Sequence, residues 1–326
     1  MSDEYVSWPV WDLPRYGWDW LSALEPVWGE LWISPYSVYD RLYQWFSDTK
    51  YTLDLAFYRI SDKKMTDLFC RLVHKGVRVR ILHESAPYEV LIAQRNEPSF
   101  ANLVRALSVC GDDIVRSDTH LPVMFSHQKA AVRDRWSVVI ATANLTYPSL
   151  FSNREHWIVS DDPLIAQSLW YILEADWVWD LIDASYVHPN LVVCPLWCKD
   201  QLVDFILSAE EELLIATQYI QDSDVVEALR YQSNRLWTGM SLLVWRYQAD
   251  GWLDDILAHV RVFSSSYLHT KAVLVDNTRL LVGSMNFSTN ALENNRELSI
   301  IVRDGLARSR FRHQFFLDWE QSEQYK

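Results

Sequence analysis

The chain reads as an α/β protein built twice over. Two observations predict this: a polar motif recurs at a fixed offset, and each occurrence follows the same run of helix, strand, helix and strand. His127-Gln128-Lys129 with Asp134 is matched 142 residues on by His269-Thr270-Lys271 with Asp276. The register then holds, with Asn144 falling on Asn286, Asn153-Arg154-Glu155 on Asn295-Arg296-Glu297, and Asp176-Trp177 on Asp318-Trp319. A repeat at one offset outranks any local pattern in deciding a fold.

The elements follow in order. After Ser34-Pro35, apolar or aromatic side chains at Val38, Leu42, Trp45 and Phe46 have helical spacing. Thr52 to Tyr58 is rich in strand-forming residues. Asp62 is placed to cap a helix running to Lys75 and stopped by Gly76, and Val77 to Leu82 is the next strand. In the second copy Cys194-Pro195 precedes a helix near Asp200 to Ala209 and a strand from Leu213 to Tyr219. Asp224 then starts a helix ended by Gly239, before a strand at Leu242 to Trp245. A helix between strands predicts parallel crossovers. The organisation expected is a Trp-rich extension over 1–33, a first half over 34–185 and a second over 186–326. The first half carries about twenty extra residues within roughly 86–118, expected to form a lid or substrate wall.

Each motif is predicted to lie on a hairpin. On a strand, His127 and Lys129 point to one side and Gln128 to the other, so two cation-bearing side chains address one ligand. Asp134 and Asp276 fall at the turns, where they serve as acceptors of backbone N–H groups. The returning strands end in Ala141-Thr142-Ala143-Asn144 and Gly283-Ser284-Met285-Asn286, and each copy closes with a helix ending in Asp-Trp.

Residues 1–33 hold Trp8, Trp11, Trp18, Trp20, Trp28 and Trp32, with Arg15 the one basic side chain. A membrane-surface helix carries more cations on its polar face, so this segment is read as an aromatic strap over the body. The acidic start is unlike a signal peptide, and no run approaches the roughly 18 apolar residues of a spanning helix. Four cysteines in 326 residues form no disulfide framework, and with these features they point to a reducing, cytoplasmic setting. Cys70 and Cys110 are expected as small buried side chains, and Cys194, Cys198 and His188 lack the fourth ligand of a zinc site. The net charge is -13, yet the stretch from 51 to 150 carries a small positive balance around the first motif. The histidines other than His127 and His269 have no matched partner of catalytic character.

The paired His-x-Lys-x4-Asp sequences, each followed by a small-residue-x-Asn element and a Glu, resemble the phospholipase D superfamily of phosphodiesterases. The resemblance covers the chain from about residue 34. It implies α-β-α sandwich halves meeting at a pseudo-twofold axis, with one metal-free, cofactor-free active site between them. Carried onto this chain, it places His127, Lys129, Asn144, His269, Lys271 and Asn286 around one phosphate, with Glu155 and Glu297 orienting the imidazoles. Thr142 and Ser284 support the phosphate nest, and Ala141-Thr142 departs from the Gly-Ser that the second copy keeps at Gly283-Ser284.

The chemistry of these residue types fits that implication. One imidazole attacks phosphorus and the other protonates the leaving oxygen, while two ammonium groups and two amides neutralise the remaining oxygens. His127 is expected as nucleophile and His269 as general acid, by the family's usual order. A phosphodiester substrate is expected, with nucleic acid favoured over phospholipid head groups. A phospholipase D or phosphatidyltransferase is the alternative, and a non-catalytic nucleic-acid-binding scaffold a further one. Both motifs lie in one chain, so a homodimer is permitted but not required.

Overall fold

Alternating helix and strand folds each copy onto its own sheet. The computed structural model describes residues 20–85, 100–117, 121–245 and 251–325. The first copy supplies β1 (Glu30–Ser34), β2 (Thr52–Phe57), β3 (Arg78–His83), β4 (Val115–Ser117), β5 (Lys129–Arg133), β6 (Ser137–Ala141) and β7 (Glu155–Ser160). Their order in the sheet is β1-β7-β6-β5-β2-β3-β4. The second supplies β8 (Leu191–Val193), β9 (Leu213–Thr217), β10 (Ile220–Gln221), β11 (Met240–Val244) and β12 (Val260–Val262). It continues with β13 (Lys271–Val275), β14 (Arg279–Gly283), β15 (Phe287–Ser288), β16 (Leu298–Val302) and β17 (Glu323–Gln324). Strands β10 and β15 pair with each other, and the rest run β8-β16-β14-β13-β9-β11-β12-β17. Apart from the added edge strand β17, the two orders match place for place.

The helices are α1 (Val38–Ser47), α2 (Lys63–His74), α3 (Phe100–Ser108), α4 (Tyr147–Phe151), α5 (Pro163–Val178), α6 (Cys198–Leu207), α7 (Ser223–Leu236), α8 (Thr289–Glu293) and α9 (Gly305–Glu320). Local chemistry sets several of their ends. Asp62 caps α2 by accepting the N–H of Met65, and Gly76 leaves it with φ of 86°. The cap of α7 is Asp222, two residues ahead of the expected Asp224, because its side chain accepts the N–H groups of both Asp224 and Val225.

Three apolar clusters hold the layers. One lies between the sheets and joins Ile140 and Ile158 of the first copy to Leu274 and Ile300 of the second, with Leu169 of α5 and Phe311 of α9. A second packs α1 and α2 on the outer face of the first sheet, and a third packs α6 and α7 on the second. Each such Leu or Ile contributes about 1.5–3 kcal/mol when fully buried. The two halves are therefore welded along a shared dry seam, and that seam fixes how their motif ends meet.

The N-terminal segment departs from a simple appendage. Residues 1–19 lie outside the described residues, but β1 pairs antiparallel with β7 and corresponds to β8 on β16. Trp20 packs on the second half, its Nε1 donating to Asp204 at 3.2 Å. The extra stretch of the first copy contains α3, whose Leu103 and Leu107 are buried in the outer cluster with α2. The same stretch continues into β4 beside β3, whereas 86–99 and 118, where part of the lid was expected, lie outside the described residues.

One expectation is overturned. All four cysteines are paired, Cys70 with Cys110 and Cys194 with Cys198. Their Cα separations of 5.4 and 5.1 Å suit a disulfide, where the sequence predicts no disulfide framework and Cys70 and Cys110 as separate buried side chains. Sequence concealed the first pair because Cys110 reaches Cys70 only once α3 folds back on α2. Among the described residues, no helix is long and apolar enough to cross a membrane.

Candidate active site

Each motif strand is stitched at its leading end to the other half of the chain. The His127 N–H donates to the Arg296 carbonyl at 2.9 Å, and the His269 N–H to that of Arg154 at 3.1 Å. Behind each histidine the strand is locked into its own sheet, Lys129 opposite Phe57 and Lys271 opposite Thr217. The tight turns beyond are held by the motif aspartates. Asp134 and Arg135 both have φ of 54°, and Asp276 and Asn277 have 50° and 48°, the two-positive-φ geometry of a short hairpin. The Asp134 carboxylate accepts the N–H groups of Lys50, Tyr51 and Thr52. Asp276 does the same for Glu210, Glu211 and Glu212. Both aspartates thus stand at the far end of the strand from the histidines and anchor the hairpin.

The side chains cross the seam in the same way as the backbone. His127 Nδ1 lies 2.9 Å from both carboxylate oxygens of Glu297, and His269 Nδ1 lies 2.9 Å from both of Glu155. With Nδ1–H donated to a carboxylate, Nε2 is the nitrogen left with a lone pair. The imidazoles keep 13 % and 12 % of their surface open, whereas both glutamates are sealed. Lys129 and Lys271 are buried, each Nζ donating 2.6 Å to the carbonyl of the histidine two residues before it. Asn295 and Asn153 donate to Glu297 and Glu155, each at 3.2 Å. Thr142 donates to Glu155, and Ser284 accepts the Leu298 N–H. The buried side-chain oxygens of Asn144 and Asn286 meet no donor.

Burial dominates the titration of these groups. It pushes His269 down to about 4, with Glu155 opposing and Lys271 and Lys129 adding to the fall. His127 is lowered by the same burial, opposed by Glu297 and reinforced by Lys129 and Lys271. Burial alone would raise the Glu155 carboxyl, yet His269, Lys271 and Thr142 bring it down to about 2. Glu297 is lowered likewise by His127 and Lys129 against its burial. Lysines of both halves act on both imidazoles, so the two histidines, two lysines and two glutamates make one electrostatic site.

Sequence reasoning noted Asn-Arg-Glu and Asp-Trp as matched positions without giving the arginines work. Arg154 grips Asp318 with two bonds of 2.8 and 2.9 Å, and Arg296 bonds Asp176 at 3.2 Å. Both pairs are buried and join opposite halves, each arginine standing next in sequence to Glu155 or Glu297. Aromatic walls were missed too. Tyr58 meets His127 edge-on at 4.6 Å, Tyr267 lies 5.6 Å from His269, and Trp245 packs 5.0 Å from Tyr267. His156, beside Glu155, is bonded to Thr270 and pushed by burial to about 3, as befits a packed side chain.

A family model described as "Cardiolipin synthase, PLD-like domain" matches residues 42–177 and again residues 202–319. The chain belongs to this PLD-like family. A stretch of 118 residues of the PLD-like chain is 30% identical to Cardiolipin synthase A of Proteus mirabilis (strain HI4320), covering 32% of this chain and 24% of that protein. The match therefore spans about a quarter of the curated relative. The polyphosphate kinase of Porphyromonas gingivalis superposes with a TM-score of 0.68 at 14% identity, over 90% of this chain and 47% of the kinase. The phosphatidylserine synthase of Haemophilus influenzae Rd KW20 gives 0.64 at 13%, over 88% and 86%. At these identities the structural likeness is one of fold.

Proposed function

We propose that this PLD-like chain cleaves or exchanges the head group of a phospholipid through a phosphohistidine intermediate. The observation that carries the chemistry is the crossed pair of histidine–glutamate contacts flanked by two buried lysines. One imidazole Nε2 forms a P–N bond as the P–O bond to the leaving alcohol breaks, and the other delivers its proton to that oxygen. Water or an acceptor alcohol then returns a proton to the second ring as its own oxygen bonds phosphorus and the P–N bond opens. The lysines and the Asn144 and Asn286 amides balance charge on the non-bridging oxygens. The matched strand orders and mirrored contacts support reading the halves as related by an approximate twofold axis through this site.

Nucleic acid was the substrate expected from sequence. The comparisons weigh toward lipid instead. The matching family description and the curated relative name cardiolipin synthase, and a solved protein of similar fold over most of both chains is a phosphatidylserine synthase.

The test is to incubate the protein in EDTA with phosphatidylcholine or phosphatidylglycerol vesicles, single-stranded DNA, RNA and a soluble aryl phosphodiester. His127→Ala and His269→Ala variants run alongside. Head-group release, or transfer to an added primary alcohol, that both variants abolish is the expected result. Cleavage confined to nucleic acid would replace the lipid reading. Binding without turnover on any of the substrates would favour a scaffold.

A further inference from the structure

The halves match closely inside the site and differ on the surface beside it. In the first half α4 begins three residues after Asn144. Leu145 ties it to the segment that follows Tyr58, its N–H donating to the Arg59 carbonyl at 3.0 Å and its carbonyl accepting the Ser61 and Asp62 N–H groups. Three rings gather here. Phe151 lies 4.8 Å from both Tyr147 and Tyr39, and the Tyr39 hydroxyl donates to Asp62 at 3.3 Å. Tyr147 is 68 % exposed and Phe151 40 %. Lys63 and Lys64 open α2 beside them, both exposed, Lys63 pairing with Asp67 and Lys64 lying 6.0 Å from the Tyr39 ring.

The second half carries other chemistry at the same places. The pairing of Ile220 with Phe287 repeats the bridge of Ile60 to Leu145. Tyr147 and Phe151, the first and last residues of α4, therefore correspond to Thr289 and Glu293 of α8. Tyr39 and Lys64, second in α1 and α2, correspond to Lys199 and Asp224 of α6 and α7. Lys199 meets Asp222, Asp224 and Glu293 at 3.2, 2.7 and 2.9 Å, so an ion cluster closed on itself stands where the first half shows rings. Trp197, exposed just before α6, shares a separate cleft with Val187 and Pro189.

We infer that the face formed by Tyr39, Tyr147, Phe151, Lys63 and Lys64 is where the protein seats on the surface of a phospholipid bilayer. Exposed aromatic side chains clustered on one face mark an interaction site, and tyrosine suits the boundary layer because its ring is apolar while its hydroxyl stays wet. Lysine stems lie along such a surface with the ammonium group among the phosphates. Charge favours this half over the other. Arg59, Lys63 and Lys64 offset Asp40, Asp62 and Asp67, whereas the matching places of the second half set Lys199 alone against Asp200, Asp222, Asp224, Glu227 and Glu293. A bilayer met at this face brings its head-group layer to Asn144 and Tyr58, and so to the histidines. The choice of occupant rests on the phospholipid reading above.

The test reads binding apart from turnover. Sedimentation with sucrose-loaded vesicles of phosphatidylcholine and phosphatidylglycerol, in EDTA, is expected to bring down the wild-type protein. Tyr147→Ser with Phe151→Ser, and separately Lys63→Ser with Lys64→Asp, are each expected to lower vesicle partitioning by about ten-fold. Both variants should still turn over a monomeric short-chain phospholipid within a factor of two of wild type. Trp136→Ser removes a similarly exposed ring at the Asp134 turn, away from the histidines, and should partition as wild type does. Unchanged partitioning in both patch variants would overturn the inference. Monomer turnover that falls in step with partitioning would make the patch a packing element of the site and overturn it too. So would a wild-type dimer, not taken up by vesicles, that the aromatic variant splits, since the face would then belong to a second copy. Patch-dependent vesicle binding by a protein that turns over no phospholipid would overturn the head-group reading and leave this surface standing.

Discussion

Glu297 holds His127 from the opposite half of the chain, both carboxylate oxygens lying 2.9 Å from Nδ1. Glu155 holds His269 reciprocally. Each half therefore orients the other's imidazole, and neither half contains a complete histidine–carboxylate unit.

Replacing either glutamate with glutamine keeps the volume but removes the acceptor charge. Glu297→Gln and Glu155→Gln are each expected to lower kcat by about 10²- to 10⁴-fold, the range for loss of an acid–base group or its orienting partner. Thermal unfolding should still be cooperative. Turnover within a factor of two of wild type in either variant would show that the contact is only structural.

The Arg154–Asp318 pair is a stability element with a distinct signature. Arg154→Met leaves Asp318 buried without its cation and is expected to cost about 3–5 kcal/mol, read from urea unfolding. Adding Asp318→Leu removes the stranded charge, so the double variant should recover most of that loss. Additive losses would mean that the two side chains do not act as a pair.

Acid should destabilise the fold well before the carboxylates titrate. His269 and His156 are depressed to about 4 and about 3 against an ordinary value of 6.5, and His127 is lowered in the same direction. An unfolded chain then binds more protons below pH 6.5. Stability is fully present above that value and falls as pH drops toward 4, by about 1.4 kcal/mol per pH unit for each such histidine. Glu155, held at about 2, adds a further loss below its ordinary 4.5. Urea midpoints measured from pH 7.5 to 4 check this, and His156→Asn should flatten the slope. A flat wild-type curve down to pH 5 would contradict the burial of these rings.

The paired cysteines give a chemical count. Alkylation of the denatured, unreduced protein is expected to label no cysteine, and prior reduction to expose all four. Labelling of four without reduction would show that the thiols are adjacent but unbonded.

Several features were legible in the sequence because they are local or periodic. The doubled motif, the strand–helix alternation and the Asp62 cap each follow from nearest-neighbour chemistry or from a fixed offset, and the described elements lie within a few residues of the expected ones. The His, Lys, Asn and Glu positions were picked out because repetition marks them independently of any fold. The partner of each glutamate was not legible. Glu155 stands one residue from His156 and far in sequence from His269, and only the packing of one sheet against the other decides that it serves the distant ring. The Arg154–Asp318 and Arg296–Asp176 pairs, the Cys70–Cys110 link and the aromatic wall of Tyr58 and Tyr267 are likewise decided by tertiary structure. Each depends on where two separately folded layers come to rest, and side-chain geometry across such a seam leaves no period in the chain. The sequence determined what each half is; the buried interface between the halves determined which residues work together.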